Sequence, residues 1–208
     1  MTTIRGIPTE VAGAAAASAG FLALARIAAT DEPTPLDRAL HRLAVRAYHR
    51  GLELLQLPIE VGGLPAVYIP ATLLAARRLR RCHVAGVGSI VVAACAGWIA
   101  LRATRFAYAR TRPPRPPHRA PKSESSFPSG HTTGLTSVAV AAAIVLARQG
   151  LLSPRSALAL GVGIPLVTGL NRVYVREHWL TDVLGGWLLG GAVGLMAAAS
   201  SYRSYLSS

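Results

Sequence analysis

Charge is what this sequence has least of. Charged residues make up 15% of its 208 residues, where a soluble domain carries about 25%. Hydrophobic residues make up 51%, and the mean hydropathy is +0.39. These figures exclude an ordinary soluble domain. They also exclude intrinsic disorder, which requires low hydrophobicity. Lysine is nearly missing: Lys122 is the single one among 22 basic residues. Only two cysteines occur, Cys82 and Cys95. Within one helix their separation of thirteen positions spans about 20 Å, too far for a disulfide. No CxxC or Cys/His zinc spacing is present. Acidic residues number nine, and they are scattered. No internal repeat is visible.

What is present is apolar length and positive charge. The net charge is +13 and the sequence pI about 11.3. In a soluble chain that balance points to nucleic acid. In an apolar one it points to loops lying against headgroups, so membrane lipids are the expected partner and nucleic acid is not. The length suits one domain, residues 1–208.

Six apolar segments follow one another: 11–30, 57–76, 84–101, 132–147, 156–171 and 183–202. A membrane span needs about 20 residues, with about 17 the practical minimum. The expected fold is therefore all-α, a polytopic membrane bundle of about six transmembrane helices. The weakest segment is the second, with Glu60, Pro58, Pro65 and Pro70. The first follows Arg5 and is rich in alanine, so a cleaved signal peptide is an alternative to a retained span. Between the first two, Arg38, Arg42, Arg46 and Arg50 recur every fourth residue, while Leu36, Leu40, Leu43, Ala47 and Leu54 share another face. This pattern over 36–55 predicts a short interfacial amphipathic helix. Residues 102–127 read as a polar loop with a proline-rich centre. The last segment carries Gly186, Gly190 and Gly194 on one face, a pattern for close helix packing.

Three short stretches carry chemistry. The first is Arg105, then Arg112 and Pro113. Arginines fork onto phosphoryl oxygens, although a basic interfacial loop has the same composition. The second is Pro128-Ser129-Gly130-His131 at the mouth of the fourth segment. A helix start offers free N–H groups and a positive dipole end to an anion, with Ser129 and His131 beside it. An ordinary helix cap is the plainer reading of those residues alone. The third is Asn171-Arg172, then His178, then Asp182. On a helix His178 and Asp182 share a face, and the aspartate would fix the imidazole tautomer. A capping pair and a metal site remain alternatives for them.

Topology joins the three. The 39 residues from Thr132 to Leu170 fit two crossings. An even number of crossings returns the chain to the same side, so all three stretches meet at one membrane face. Arginines, two histidines, an aspartate and a helix N-terminus together suit phosphoryl transfer by positioning and electrostatics.

In order and spacing these stretches resemble the three-part signature of the type 2 phosphatidic acid phosphatase family, KxxxxxxRP, PSGH and SRxxxxxHxxxD. The second part matches fully. Arg105 stands for the usual lysine and Asn171 for the usual serine. The resemblance implies a membrane lipid phosphatase. His178 would attack phosphorus to form a phosphohistidine, Asp182 would support it, and His131 would act as acid and then base. Arg105, Arg112, Ser129, Gly130 and Arg172 would hold the phosphoryl oxygens. It implies no metal and no cofactor. It also implies undecaprenyl pyrophosphate, phosphatidylglycerol phosphate or phosphatidic acid as substrate, in a cell membrane with the site on the extracytoplasmic face. Raw arginine counting favours the reverse orientation, but the compact cluster of Arg77, Arg78, Arg80 and Arg81 marks an inner loop. The alternatives are a phosphotransferase with an alcohol acceptor and a non-catalytic binder of anionic lipid. Oligomeric state is not legible.

Overall fold

The computed structural model describes residues 9–119 and 124–206. Arg5 and Lys122 lie outside the described residues, as does the side chain of Arg203. Nine α-helices are described: α1 (Thr9–Ala28), α2 (Pro35–Ala47), α3 (Glu53–Gly62), α4 (Pro65–Arg81), α5 (Val87–Ala107), α6 (Gly130–Arg148), α7 (Pro154–Leu158), α8 (Ile164–Tyr174) and α9 (Leu180–Leu206). A π-helical turn, Ala159–Gly163, joins α7 to α8 into one span.

Five spans are long and apolar enough to cross a bilayer unaided: Thr9–Ala28, Val87–Ala107, Gly130–Arg148, Pro154–Tyr174 and Leu180–Ser201. The segment expected as a straight helix over 57–76 is a bent pair, Gln56–Gly62 and Pro65–Arg81, meeting at 77°, the geometry of a broken span or of a re-entrant loop. Pro65 causes the break. Its ring cannot continue α3, yet it suits the first turn of α4.

The interfacial helix is also shorter than the 36–55 pattern. It ends at Ala47, where Tyr48 turns extended (ψ 126°). Its start is a capping box: Thr34 accepts from the Asp37 amide and Asp37 accepts from the Thr34 amide. Asp37 and Ala44 face the bundle, while Leu36, Leu43, Arg38, Arg42 and Arg46 stay exposed. The loop expected from residue 102 begins later. Arg102 and Arg105 belong to the last turns of α5. Cys82 closes α4 and Cys95 lies within α5, both free and exposed.

The central helix is α9, which packs on α6, α1 and α5. Its contact with α6 is made by the glycine stripe. A Cβ on Gly190 would sit 2.4 Å from the Thr133 carbonyl oxygen, and one on Gly194 2.8 Å from that of Ser137. Backbone cannot step aside, so only a bare α-carbon fits. Helix α1 joins the bundle through Phe21, which stacks on Phe127 at 5.6 Å. Gly190→Ala is expected to destabilise by about 1–3 kcal/mol, the usual cost of overpacking. Gly191→Ala, with nothing within 4 Å of the added carbon, is expected to be neutral. Thermal unfolding of the two variants in detergent checks the contrast.

Candidate active site

The site forms where the N-terminal ends of α6 and α9 meet the C-terminal ends of α5 and α8. The turn after α8 sets two of its members at once. Arg176 adopts a left-handed backbone (φ 59°) and ends the helix. The amides of Glu177 and His178 then fold back onto the Arg172 carbonyl, at 3.1 and 3.3 Å. Arg172 and His178 are thus fixed by one turn.

His178 lies two residues before α9, not inside it. The i,i+4 pair with Asp182 therefore straddles the helix start. The reason is a cap: Asp182 Oδ2 accepts the Trp179 amide at 2.8 Å. The partner that fixes the His178 tautomer is also different from the one expected. Nδ1 lies 2.8 Å from the Ser126 carbonyl oxygen and 3.6 Å from Asp182 Oδ2. A carbonyl only accepts, so Nδ1 carries the hydrogen. Nε2 is left with its lone pair, 3.3 Å from Arg112 NH1. Burial holds the imidazole far below its ordinary pKa, at about 3, against the upward pull of Asp182. The ring is neutral near pH 7, as a nucleophile must be.

A cavity of about 520 Å³ opens in front of that nitrogen. Of the eight residues singled out from sequence, Arg105, Arg112, Gly130, His131, Arg172 and His178 line it. Asp182 stands behind His178 with 0% exposure. Ser129 is fully buried as well, and its hydroxyl accepts from Thr132 Oγ1 at 2.9 Å. Its backbone amide donates to the Asp182 carbonyl at 3.0 Å. In this arrangement Ser129 braces α6 against α9 and does not line the cavity.

The three arginines are held in three different ways. Arg112 donates to the carbonyls of Glu124 (3.1 Å), Glu177 (2.8 Å) and Ser125 (3.3 Å). Arg105 meets the exposed Glu124 carboxylate at 3.0 Å. A Cβ on Gly130 would sit 3.1 Å from Arg105 NH2, so this glycine admits the guanidinium to the start of α6. Arg172 donates to Asn171 Oδ1 at 2.6 Å. The residue that replaces serine therefore orients the arginine as an acceptor. The buried Nε atoms of Arg105 and Arg172 have no hydrogen-bond partner among the described residues. Buried donors are rarely left so, and an anion in the cavity would satisfy them. His131 reaches the Glu60 carbonyl at 2.8 Å through Nε2, across the bend between α3 and α4.

Two groups here carry no sequence signal. Glu177 is 1% exposed and pairs with Arg115, with Arg119 at 3.3 Å and with Arg112 at 3.8 Å. It pins the proline-rich loop beside the site. Arg110 and Asp37 form a buried network behind Asp182. Charged residues with almost no exposure are the one feature that would have revealed them, and exposure is invisible in a single sequence.

The model of the PAP2 superfamily matches residues 85–205. The chain belongs to the PAP2 superfamily. A relative, the undecaprenyl-diphosphatase of Sulfolobus acidocaldarius, is 30% identical over 148 residues, 65% of this chain. The match spans 64% of that relative's own length. The crystal structure of a transmembrane PAP2 type phosphatidylglycerolphosphate phosphatase from Bacillus subtilis superimposes with a TM-score of 0.79. It does so at 22% identity, over 91% of this chain and 96% of the other. The PAP2 membership and the shared fold make this chain a multi-pass membrane protein of helical architecture.

Proposed function

We propose that this chain is a membrane lipid phosphatase acting through a phosphohistidine, without a metal, at the extracytoplasmic face of a cell membrane. The observation that carries the reading is the composition of one cavity. His178, His131, Arg105, Arg112, Arg172 and Gly130 at the start of α6 line it together with Leu64, Pro65, Trp98 and Leu101. The first set suits a phosphate and the second an acyl or prenyl chain. The activities named for the two relatives, on a lipid diphosphate and on a phosphatidyl phosphate, support the same substrate class.

In the first step the Nε2 lone pair attacks phosphorus and the bond to the leaving oxygen breaks, with His131 giving that oxygen its proton. The ring becomes cationic, and the Asp182 carboxylate near Nδ1 compensates the charge. In the second step water attacks phosphorus as His131 takes its proton. The P–N bond breaks and neutral His178 returns. Arg105, Arg112 and Arg172 neutralise the phosphoryl oxygens throughout. In this reading arginine takes the role of the cation.

The head group is a diphosphate. Arg102 lines the cavity one turn before Arg105, is exposed, and has no acidic partner among the described residues. A monoester is already met by three arginines, so a fourth suits the distal phosphate. Phosphate release by purified protein, with EDTA present, is expected from undecaprenyl diphosphate, phosphatidylglycerol phosphate and phosphatidic acid. Arg102→Gln should lower kcat/KM about tenfold for the diphosphate and leave the monoesters within about twofold. No release from any lipid sinks the phosphatase reading. An equal loss on all three sinks the assignment of Arg102.

A further inference from the structure

Behind the catalytic pair lies a chain of three buried charges. Arg110 NH1 donates to Asp182 Oδ1 at 2.6 Å, and NH2 donates to Asp37 Oδ2 at 3.2 Å. All three side chains are 0% exposed. Asp37 is occupied on every side. It accepts from the Thr34 amide at 3.0 Å, from the Thr181 amide at 2.9 Å and from Thr181 Oγ1 at 2.8 Å. One carboxylate thus closes the capping box of α2 and also serves the N-terminus of α9, which carries Asp182.

Packing alone does not ask for this arrangement. A buried Arg–Asp pair is already neutral, and a second buried carboxylate adds desolvation cost. The second carboxylate changes the field at His178. With Arg110 and Asp182 alone, the group behind the imidazole has no net charge. With Asp37 added it carries one negative charge. His178 becomes cationic when Nε2 takes the phosphoryl group, so a net negative charge behind it lowers that barrier.

We propose that Asp37 and Arg110 are positioning residues of the phosphoryl-transfer step, holding the Asp182 carboxylate in place and keeping the buried group behind His178 net negative. Neither residue lines the cavity, so substrate binding should not report on them. This proposal rests on the reading of His178 as the attacking group.

The test compares Asp37→Asn with Arg110→Lys in the full chain, assayed beside wild type and His178→Ala. Active sites are counted by the phosphoenzyme burst, and melting temperature is recorded. Asp37→Asn removes the negative charge and keeps the shape. It is expected to lower kcat per active site about tenfold, leave KM within twofold and weaken orthovanadate inhibition in parallel with kcat. Arg110→Lys keeps the order of charges and discards the fork of hydrogen bonds. It is expected to retain kcat within about fivefold. A purely structural network predicts that, counted per active site, Asp37→Asn loses no more kcat than Arg110→Lys, since Asp37 accepts four hydrogen bonds and the fork donates three. That result, or a kcat per site within twofold of wild type for Asp37→Asn, overturns the proposal. Should Asp37→Asn fail to fold, Asp37→Glu replaces it. The charge is then kept, kcat should stay within threefold, and a tenfold loss overturns the proposal. An inactive wild type, or an active His178→Ala, refutes the histidine reading itself.

Discussion

His178→Ala is expected to abolish phosphate release from every lipid that the wild-type protein turns over, by at least about 10⁴-fold, as removal of an attacking side chain does elsewhere. The geometry sets this expectation. Nδ1 is committed to the Ser126 carbonyl at 2.8 Å, so the ring's lone pair lies on Nε2, 3.3 Å from Arg112 NH1. It faces the cavity lined by Arg105, Arg112 and Arg172. The arginines and the start of α6 remain in the variant, so lipid binding should persist while turnover stops. Lipid binding and phosphate release, measured on the same preparation, check both halves. A rapid acid-labile, alkali-stable labelling of wild type that is missing in the variant would identify the intermediate. Retention of more than about one part in a hundred of the activity would contradict the assignment.

Gly63→Ala is expected to lower turnover by about 10²–10³-fold without unfolding the protein, the range for a lost general acid–base group. A Cβ at Gly63 would lie 2.1 Å from His131 Cδ2 and 2.6 Å from Cγ. The imidazole must swing away, breaking its bond to the Glu60 carbonyl. Gly62 is the control, with nothing within 4 Å of an added carbon. Gly62→Ala should keep near wild-type activity. The pair differ by one residue on the same bend, so a loss shared by both would point to the bend and not to His131. With a lipid whose leaving group needs no protonation, formation of the phosphoenzyme should recover in Gly63→Ala, while its hydrolysis, in which His131 acts as base, should stay slow.

Much of this was legible before any coordinates. The six apolar segments, the common side of the three stretches and the convergence of Arg105, Arg112, His131, Arg172 and His178 all follow from hydropathy and from counting crossings. What was not legible has physical reasons. The break between α3 and α4 depends on Pro65 starting a helix, and an apolar run hides it. The interfacial helix stops at Ala47 because Tyr48 leaves helical geometry, although the arginine period continues to Arg50. The Ser126 carbonyl, which fixes the tautomer, belongs to the backbone and has no residue type to betray it. Ser129 sits in the best-matched stretch, yet it is fully buried and its hydroxyl accepts from Thr132. Asp37 lies far from Asp182 in sequence, and the capping box that it forms is sufficient local reason for an aspartate there.

The bent pair of helices has a consequence for how the signature is to be regarded. The three stretches span Arg105 to Asp182, and it is easy to treat them as a cassette. Yet the carbonyl that anchors His131 comes from Glu60, the bare carbon that makes room for the ring is Gly63, and the carboxylate that caps α9 from outside is Asp37. Every one of these precedes the first motif residue. On the proposed roles, the motif grafted onto a helical scaffold without those partners would carry the nucleophile and leave behind the groups that aim its acid and support its aspartate. Portability is what this architecture gives up: the amino-terminal third of the chain is a working part of the site.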